Sequence, residues 1–297
     1  MTTRILAIAG NKQSGKTTCS NFIHGYQLKS HNIISGFSIT DKGELVVATE
    51  FIDSKGDKEQ GHALLDVKRV DLEFSEWAVY NMWPYVKSYS FADPLKNIAT
   101  ELFDIKEENV RGSDIQKNAK IPITWESMPG VITCAKTAKL APVKKLIDNG
   151  DLMYHKKGKM TGREFLQFFG SEVCRKIYEE IWVSRLVKDV ESEGPLLAVV
   201  DDCRYPNEAE AIQNAGGKVV KLMRSNHKDS HKSENAFDED FEFDAVIDNR
   251  DMSIQETHVE LIKAVEDWGW LGSPIPESPS EDEPVLVGGI HQFRESE

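Results

Sequence analysis

Absences narrow the reading first. The chain contains no run of ~18 or more apolar residues, so no membrane-spanning helix is expected. Its first apolar stretch, Ile5 to Ala9, has neither the length nor the cleavage pattern of a secretory signal. Cysteine is scarce: Cys19, Cys134, Cys174 and Cys203 form no CxxC pair. That argues against a zinc site or a disulfide framework and for free thiols in a reducing cytosol. The expected location is therefore cytoplasmic, the host cytoplasm if the source is viral. Positive charge is in deficit, with 36 Lys and Arg against 49 Asp and Glu and a net charge of −13. Such a surface repels polyphosphate chains, which disfavours DNA or RNA as a partner. No NKxD motif is present, which counts against a guanine-specific switch.

What is present is more specific. Gly10-Asn11-Lys12-Gln13-Ser14-Gly15-Lys16-Thr17 fits GxxxxGK[ST] at every fixed position. It follows the apolar run Ile5 to Ala9, which reads as a buried strand. It precedes Cys19, Phe22, Ile23 and Tyr26, which recur at helical spacing. In that context Gly10 and Gly15 let the backbone wrap round an anion, and the helix N-terminus faces the phosphates. Lys16 brings a positive charge to the β- and γ-phosphates of a nucleoside triphosphate, and the Thr17 hydroxyl suits Mg²⁺. The loop residues Lys12, Ser14 and Thr18 are placed with them as ATP contacts.

The rest of the chain reads as strands alternating with helices, which predicts an open α/β sheet. Strands are expected at Lys87–Phe91, Leu196–Val200, Val219–Met223 and Ala245–Ile247. Asp93 reads as an N-cap, with Pro94 at the first helical position. Thr161-Gly162-Arg163-Glu164 and Ser253-Ile254-Gln255-Glu256 read as capping boxes. The first opens a helix that Gly170 breaks or kinks, and a further helix is expected from about Ile177 to Val190. Pro206 opens another helix, which Gly216-Gly217 ends. Two insertions interrupt the pattern. Residues 30–86 carry a hairpin signal around Asp41-Lys42-Gly43, and residues 111–160 show little periodicity beyond loops and short helices. Residues 1–271 are thus expected to form the main domain. Residues 272–297, rich in proline, serine and acids, read as a disordered acidic tail.

A kinase needs a metal-organising acid, cations for the acceptor and a cover that excludes water. Asp202 fits the first need at the end of a central strand, with Asp201 as an adjacent competitor. Arg204 fits the second, as a bidentate clamp for a phosphate or, alternatively, a surface ion pair with Glu208. Arg163 and Arg175 are further candidates. The basic stretch Arg224, Lys228, His231 and Lys232 suits the cover. His231 reads as a hydrogen-bonding residue, since no second histidine lies at ligand spacing.

Taken in order, these segments resemble bacteriophage deoxynucleoside monophosphate kinases, a branch of the P-loop kinase superfamily. The likeness rests on the Gly10–Thr18 loop, Phe91-Ala92-Asp93-Pro94-Leu95-Lys96, Leu166-Gln167-Phe168-Phe169-Gly170-Ser171-Glu172 and Ile181-Trp182-Val183. It continues through Asp202-Cys203-Arg204 with Glu208, Arg224, His231-Lys232-Ser233-Glu234 and Val246-Ile247-Asp248-Asn249. The resemblance implies a P-loop fold with a five-stranded parallel core of order 2-3-1-4-5. It also implies ATP and Mg²⁺, with a deoxynucleoside monophosphate as acceptor. Lys16, Asp202 and Arg204 would then be catalytic, with Thr17 and Asp202 at the metal. Substrate contacts would come from Asp93, Lys96, Arg163, Arg175, Arg204, Arg224, His231 and Glu234. The insertions leave the acceptor pocket open, and the oligomeric state too, a homodimer included. A kinase with another small acceptor, such as one resembling dephospho-coenzyme A kinase, and a nucleotide-binding protein without turnover are the rival readings.

Overall fold

The structure, a computed structural model, describes residues 3–52, 58–224, 237 and 241–270. The predicted contacts His231 and Glu234 and the predicted tail 272–297 lie outside the described residues. The chain divides into two compact units. The first runs to Ser90 and resumes at Leu186; the second is Phe91–Arg185.

The first unit is built on one five-stranded sheet. Its strands are β1 (Arg4–Gly10), β2 (Val86–Tyr89), β3 (Leu197–Cys203), β4 (Lys218–Leu222) and β5 (Ala245–Ile247). Their order across the sheet is β5-β4-β1-β3-β2, and every pairing is parallel. A parallel sheet is covered on both faces, so its strands read as continuous apolar runs. Ile5 to Ala9 are accordingly all buried. Helix α1 (Lys16–Ser30) packs Cys19, Ile23 and Leu28 into one cluster with Leu6 and Ile8 of β1 and Leu261 and Val265 of α6 (Ile254–Asp267). Each such side chain contributes roughly 1.5–3 kcal/mol by leaving water. The Ser253 hydroxyl accepts from Glu256 N–H at 3.1 Å and the Glu256 carboxylate accepts from Ser253 N–H at 2.7 Å, which starts α6 where the spacing predicts.

The 30–86 insertion forms a separate antiparallel sheet from Gly36–Ile39, Leu45–Ile52 and Lys58–Leu64, followed by the helix Leu72–Asn81. The hairpin signal finds its two strands; the third, rich in polar residues, carries no apolar alternation to announce it. The hairpin turn is tied to α1. Asn21 Nδ2 donates to Gly43 O at 2.8 Å, and a Cβ on Gly43 (φ +82) would meet Thr18 Oγ1 at 2.2 Å.

The second unit holds α2 (Asp93–Glu101), α3 (Gly162–Phe168) and several short helices around a core of Ile105, Ile121, Trp125, Met160, Phe165 and Phe168. Two expectations need correction and a third is sharpened. Asp93 is the first helical residue of α2 rather than its N-cap; Ala92 holds that place, and its methyl group offers no side-chain cap. The helix expected from Ile177 begins at Ile181, since Tyr178 is extended (φ −151, ψ 109). The α-helix breaks beside Gly170, as expected, but the chain goes on coiling as a π-helical segment, Phe169–Cys174. A Cβ on Gly170 would lie 2.7 Å from Leu95 Cδ2, so the missing side chain lets that segment sit against α2.

Candidate functional site

Between β1 and α1 the backbone turns sharply round a small space. Gly10 has φ +148, and a Cβ there would lie 2.7 Å from Ser14 Oγ and 2.8 Å from Leu222 O. Gln13 (φ +63) and Gly15 (φ +102) are left-handed. Gly15 is the N-cap of α1 and offers no side chain to its first turn, so the helix N-terminus keeps unsatisfied N–H groups and its positive dipole end. Ser14 Oγ is buried without a hydrogen-bond partner among the described residues. Lys16 Nζ donates to Gly10 O and Asn11 O, each at 2.7 Å, and so lies over the loop's own carbonyls. Thr17 and Lys12 are exposed, and Thr18 is half-buried.

A buried asparagine that sequence reasoning did not single out as a site residue holds this loop from behind. Asn249 Nδ2 donates to Ser14 O at 2.9 Å, and its Oδ1 accepts from Arg224 N–H at 2.8 Å. Arg224 Nε donates to Asn249 O at 3.0 Å, and its guanidinium also reaches Met252 O. A cavity of about 190 Å³ opens beside the loop, lined by Gln13, Gly15, Thr18, Arg224, Asn249 and, from α6, Ile254, Thr257 and His258. Asp41 and Lys42 of the insertion's hairpin turn complete the wall. His258 stacks on Phe22 at 4.0 Å, and its Nε2 has no partner among the described residues. Burial pushes its pKa down to about 4, so the ring is neutral.

At β3 the two candidate acids separate. The strand does not stop at Val200 as predicted but continues through Asp201, Asp202 and Cys203. Its register against β1 slips there: Ala7 pairs with Val200, yet Ala9 pairs with Cys203. A bulge of this kind re-aims side chains. Asp201 turns into the protein, with a 2% exposed side chain, and takes both oxygens to Lys68 Nζ at 2.7 and 2.6 Å. Asp202 is half-buried and accepts from the Ser90 hydroxyl. Arg204 is exposed. Glu208 accepts the backbone N–H groups of Arg204 (2.8 Å) and Tyr205 (3.1 Å), which caps the helix Pro206–Asn214.

The second unit gathers its own charged cluster. Asp93 Oδ1 accepts from Lys96 Nζ at 2.9 Å and from Arg111 Nη1 at 2.8 Å. Burial opposes charge on Asp93, but Lys96 and Arg111 hold its carboxyl below the ordinary range. Arg163 Nη2 donates to Asp114 Oδ1 at 2.5 Å. Lys117 sits between these pairs: burial, then the charges of Lys96 and Arg163, push its pKa down. The structure thus brings the predicted Lys96 and Arg163 together and adds Arg111 and Lys117. The segment that carries these two, 107–117, consists of four- and five-residue helices with no periodicity to flag it. Arg175 is half-buried and follows the π segment.

The first unit thus presents a parallel α/β sheet with a glycine-bent loop at the end of its central strand and carboxylates at the end of the next. The model of the deoxynucleotide monophosphate kinase family matches residues 81–259, and the chain belongs to that family. It is 24% identical over 183 residues to a putative deoxynucleotide monophosphate kinase of Acanthamoeba polyphaga mimivirus, which covers 60% of this chain and 81% of the relative. It is 34% identical over 55 residues to a deoxynucleoside-5'-monophosphate kinase of Escherichia phage T5, covering 18% of this chain and 22% of that one. No helix among the described residues is long and apolar enough to cross a membrane.

Proposed function

We propose that this kinase moves the γ-phosphate of Mg-ATP to a deoxynucleoside monophosphate, with the loop 10–17 acting as a P-loop of the P-loop kinase fold. The observation that carries this is the loop itself. Its only buried side-chain hydroxyl, Ser14, lacks a partner among the described residues, Gly10 leaves space that a Cβ would fill, and an uncapped helix N-terminus backs it. Those are the features of a cradle for phosphate.

Each residue then has a task. Lys16 leaves the carbonyls of Gly10 and Asn11 for the β- and γ-phosphates, whose negative charge is the stronger acceptor. The base of ATP takes the cavity beside Arg224, Thr257 and His258, where the neutral His258 offers its Nε2 as an acceptor. Thr17 and Asp202 supply hard oxygen ligands or hold metal-bound waters, which fits Mg²⁺. Bound there, the ion neutralises charge on the transferring group. Arg204 of the first unit suits a phosphate of the acceptor; within the second unit, Lys96, Arg111, Lys117 and Arg163 form a cationic cluster of their own that suits an anionic group. Asp93 orients Lys96 and Arg111 rather than touching an anion itself. The acceptor's phosphate oxygens are already ionised near neutral pH, so positioning and charge neutralisation suffice without a general base.

The test is ADP production from Mg-ATP against dAMP, dGMP, dCMP, dTMP, the ribonucleotides and dephospho-coenzyme A. Turnover with one or more deoxynucleotides, lost in Lys16→Ala, is the expected result and names the base. Turnover with dephospho-coenzyme A alone would leave the kinase chemistry and remove the proposed acceptor.

A further inference from the structure

The two adjacent acids of β3 are chemically alike, and the structure treats them differently. Asp201 is closed inside the protein and paired with Lys68 through both oxygens. Lys68 comes from 133 residues away, out of the 30–86 insertion. Its backbone is anchored on each side. Leu65 N–H donates to Leu45 O at 2.9 Å, Val67 is buried in the main core, and Asp71 caps the helix Leu72–Asn81 by accepting from Phe74 N–H at 3.1 Å. Lys68 N–H also donates to Asp66 Oδ1 at 3.0 Å. The stem is thus fixed, and the ammonium is delivered to one place. His24 of α1 lies close enough to feel both charges, with its Nδ1–H on Ser20 O at 2.8 Å.

A carboxylate whose two oxygens are both taken by one ammonium has lost most of its capacity to bind a cation. A free carboxylate in its place, one residue from Asp202, would compete with Asp202 or repel its charge. We propose that Lys68 is a positioning residue: by pairing with Asp201 it leaves Asp202 as the one acid of the pair presented to the metal of Mg-ATP. The insertion is then part of the catalytic apparatus. This rests on the kinase reading above.

Four variants test it: Lys68→Met, Lys68→Arg, Asp201→Asn and the double Lys68→Met/Asp201→Asn, with Asp202→Asn as reference. Two readings are taken on each: Mg²⁺ dependence of turnover, and Mg²⁺ dependence of the binding of a fluorescent ATP analogue. Thermal unfolding is followed alongside. In Lys68→Met the Mg²⁺ concentration for half effect rises about tenfold, the scale on which an outer-shell group acts. Binding of the analogue without Mg²⁺ changes little. Lys68→Arg and the double variant return towards the parent, since one restores the pair and the other removes the unpaired acid. Two results would overturn the proposal. One is a Lys68→Met that melts earlier with its Mg²⁺ dependence unmoved, which makes the pair structural. The other is an Asp201→Asn that loses Mg²⁺ dependence as Asp202→Asn does, which makes Asp201 the metal's acid. Should the parent turn over no acceptor, the kinase reading fails, and the binding titration still decides the role of Lys68.

Discussion

At the residue scale the site depends on a few side chains that hold backbone in place. Asn249 is the sharpest case. It is 1% exposed and satisfies a carbonyl of the loop and an N–H of Arg224 at once. Asn249→Ala leaves the Ser14 carbonyl and the partly buried Arg224 N–H without this partner, and we expect a loss of about 2 kcal/mol in denaturant unfolding together with weaker ATP binding. Gly162 acts by having no side chain. A Cβ there would lie 2.1 Å from Asn109 O, so Gly162→Ala forces the start of α3, and Arg163 with it, away from its neighbour. The expected cost is roughly 1–3 kcal/mol in the same measurement. Neither role is visible in the sequence as such. Val246-Ile247-Asp248-Asn249 stands out only by resemblance, and Gly162 reads as one residue of a capping box.

At the element scale the well-formed helices were legible and the short ones were not. Helices α3 and α6 begin at Thr161 and Ser253 with both reciprocal hydrogen bonds of a capping box, because that motif is purely local. The segments Glu107–Arg111 and Asp114–Lys117 are too short for any apolar period, yet they bring Arg111 and Lys117 beside Lys96 and Arg163. If this cluster holds the acceptor, Lys117→Gln raises the KM for the deoxynucleotide about tenfold, the loss of one charge-assisted hydrogen bond, and leaves the KM for ATP unchanged. Steady-state kinetics with each substrate varied in turn makes the distinction; a KM change for ATP alone would assign Lys117 elsewhere.

At the scale of the whole molecule, buried histidines couple stability to pH. Burial pushes the His24 pKa from 6.5 down to about 4, and His258 shifts in the same direction for the same cause. Between those pH values the unfolded chain binds more protons than the folded one, so stability rises with pH. The contribution of His24 is complete above about pH 6.5 and is lost as pH falls towards 4, by roughly 3 kcal/mol in all. Melting temperatures measured from pH 7 to pH 4.5 should therefore fall, and the slope should be shallower in His24→Gln. An equal slope in that variant would place the acid sensitivity in other groups.

Sequence by itself determined what is local. The buried strand before Gly10, the helix after Lys16, the apolar run of β3 and the two capping boxes each follow from a few neighbouring residues, whose spacing fixes which groups face the core or the backbone. In one dimension Asp201 and Asp202 are alike, since both sit at the end of the same strand. A bulge and a lysine from a distant insertion give them different surroundings. The same holds for the cavity wall, where residues 41 and 42 meet residues of α6, and for the cluster of four cations in the second unit. Burial, pairing and the crowding of like charges depend on distances that only the folded chain sets.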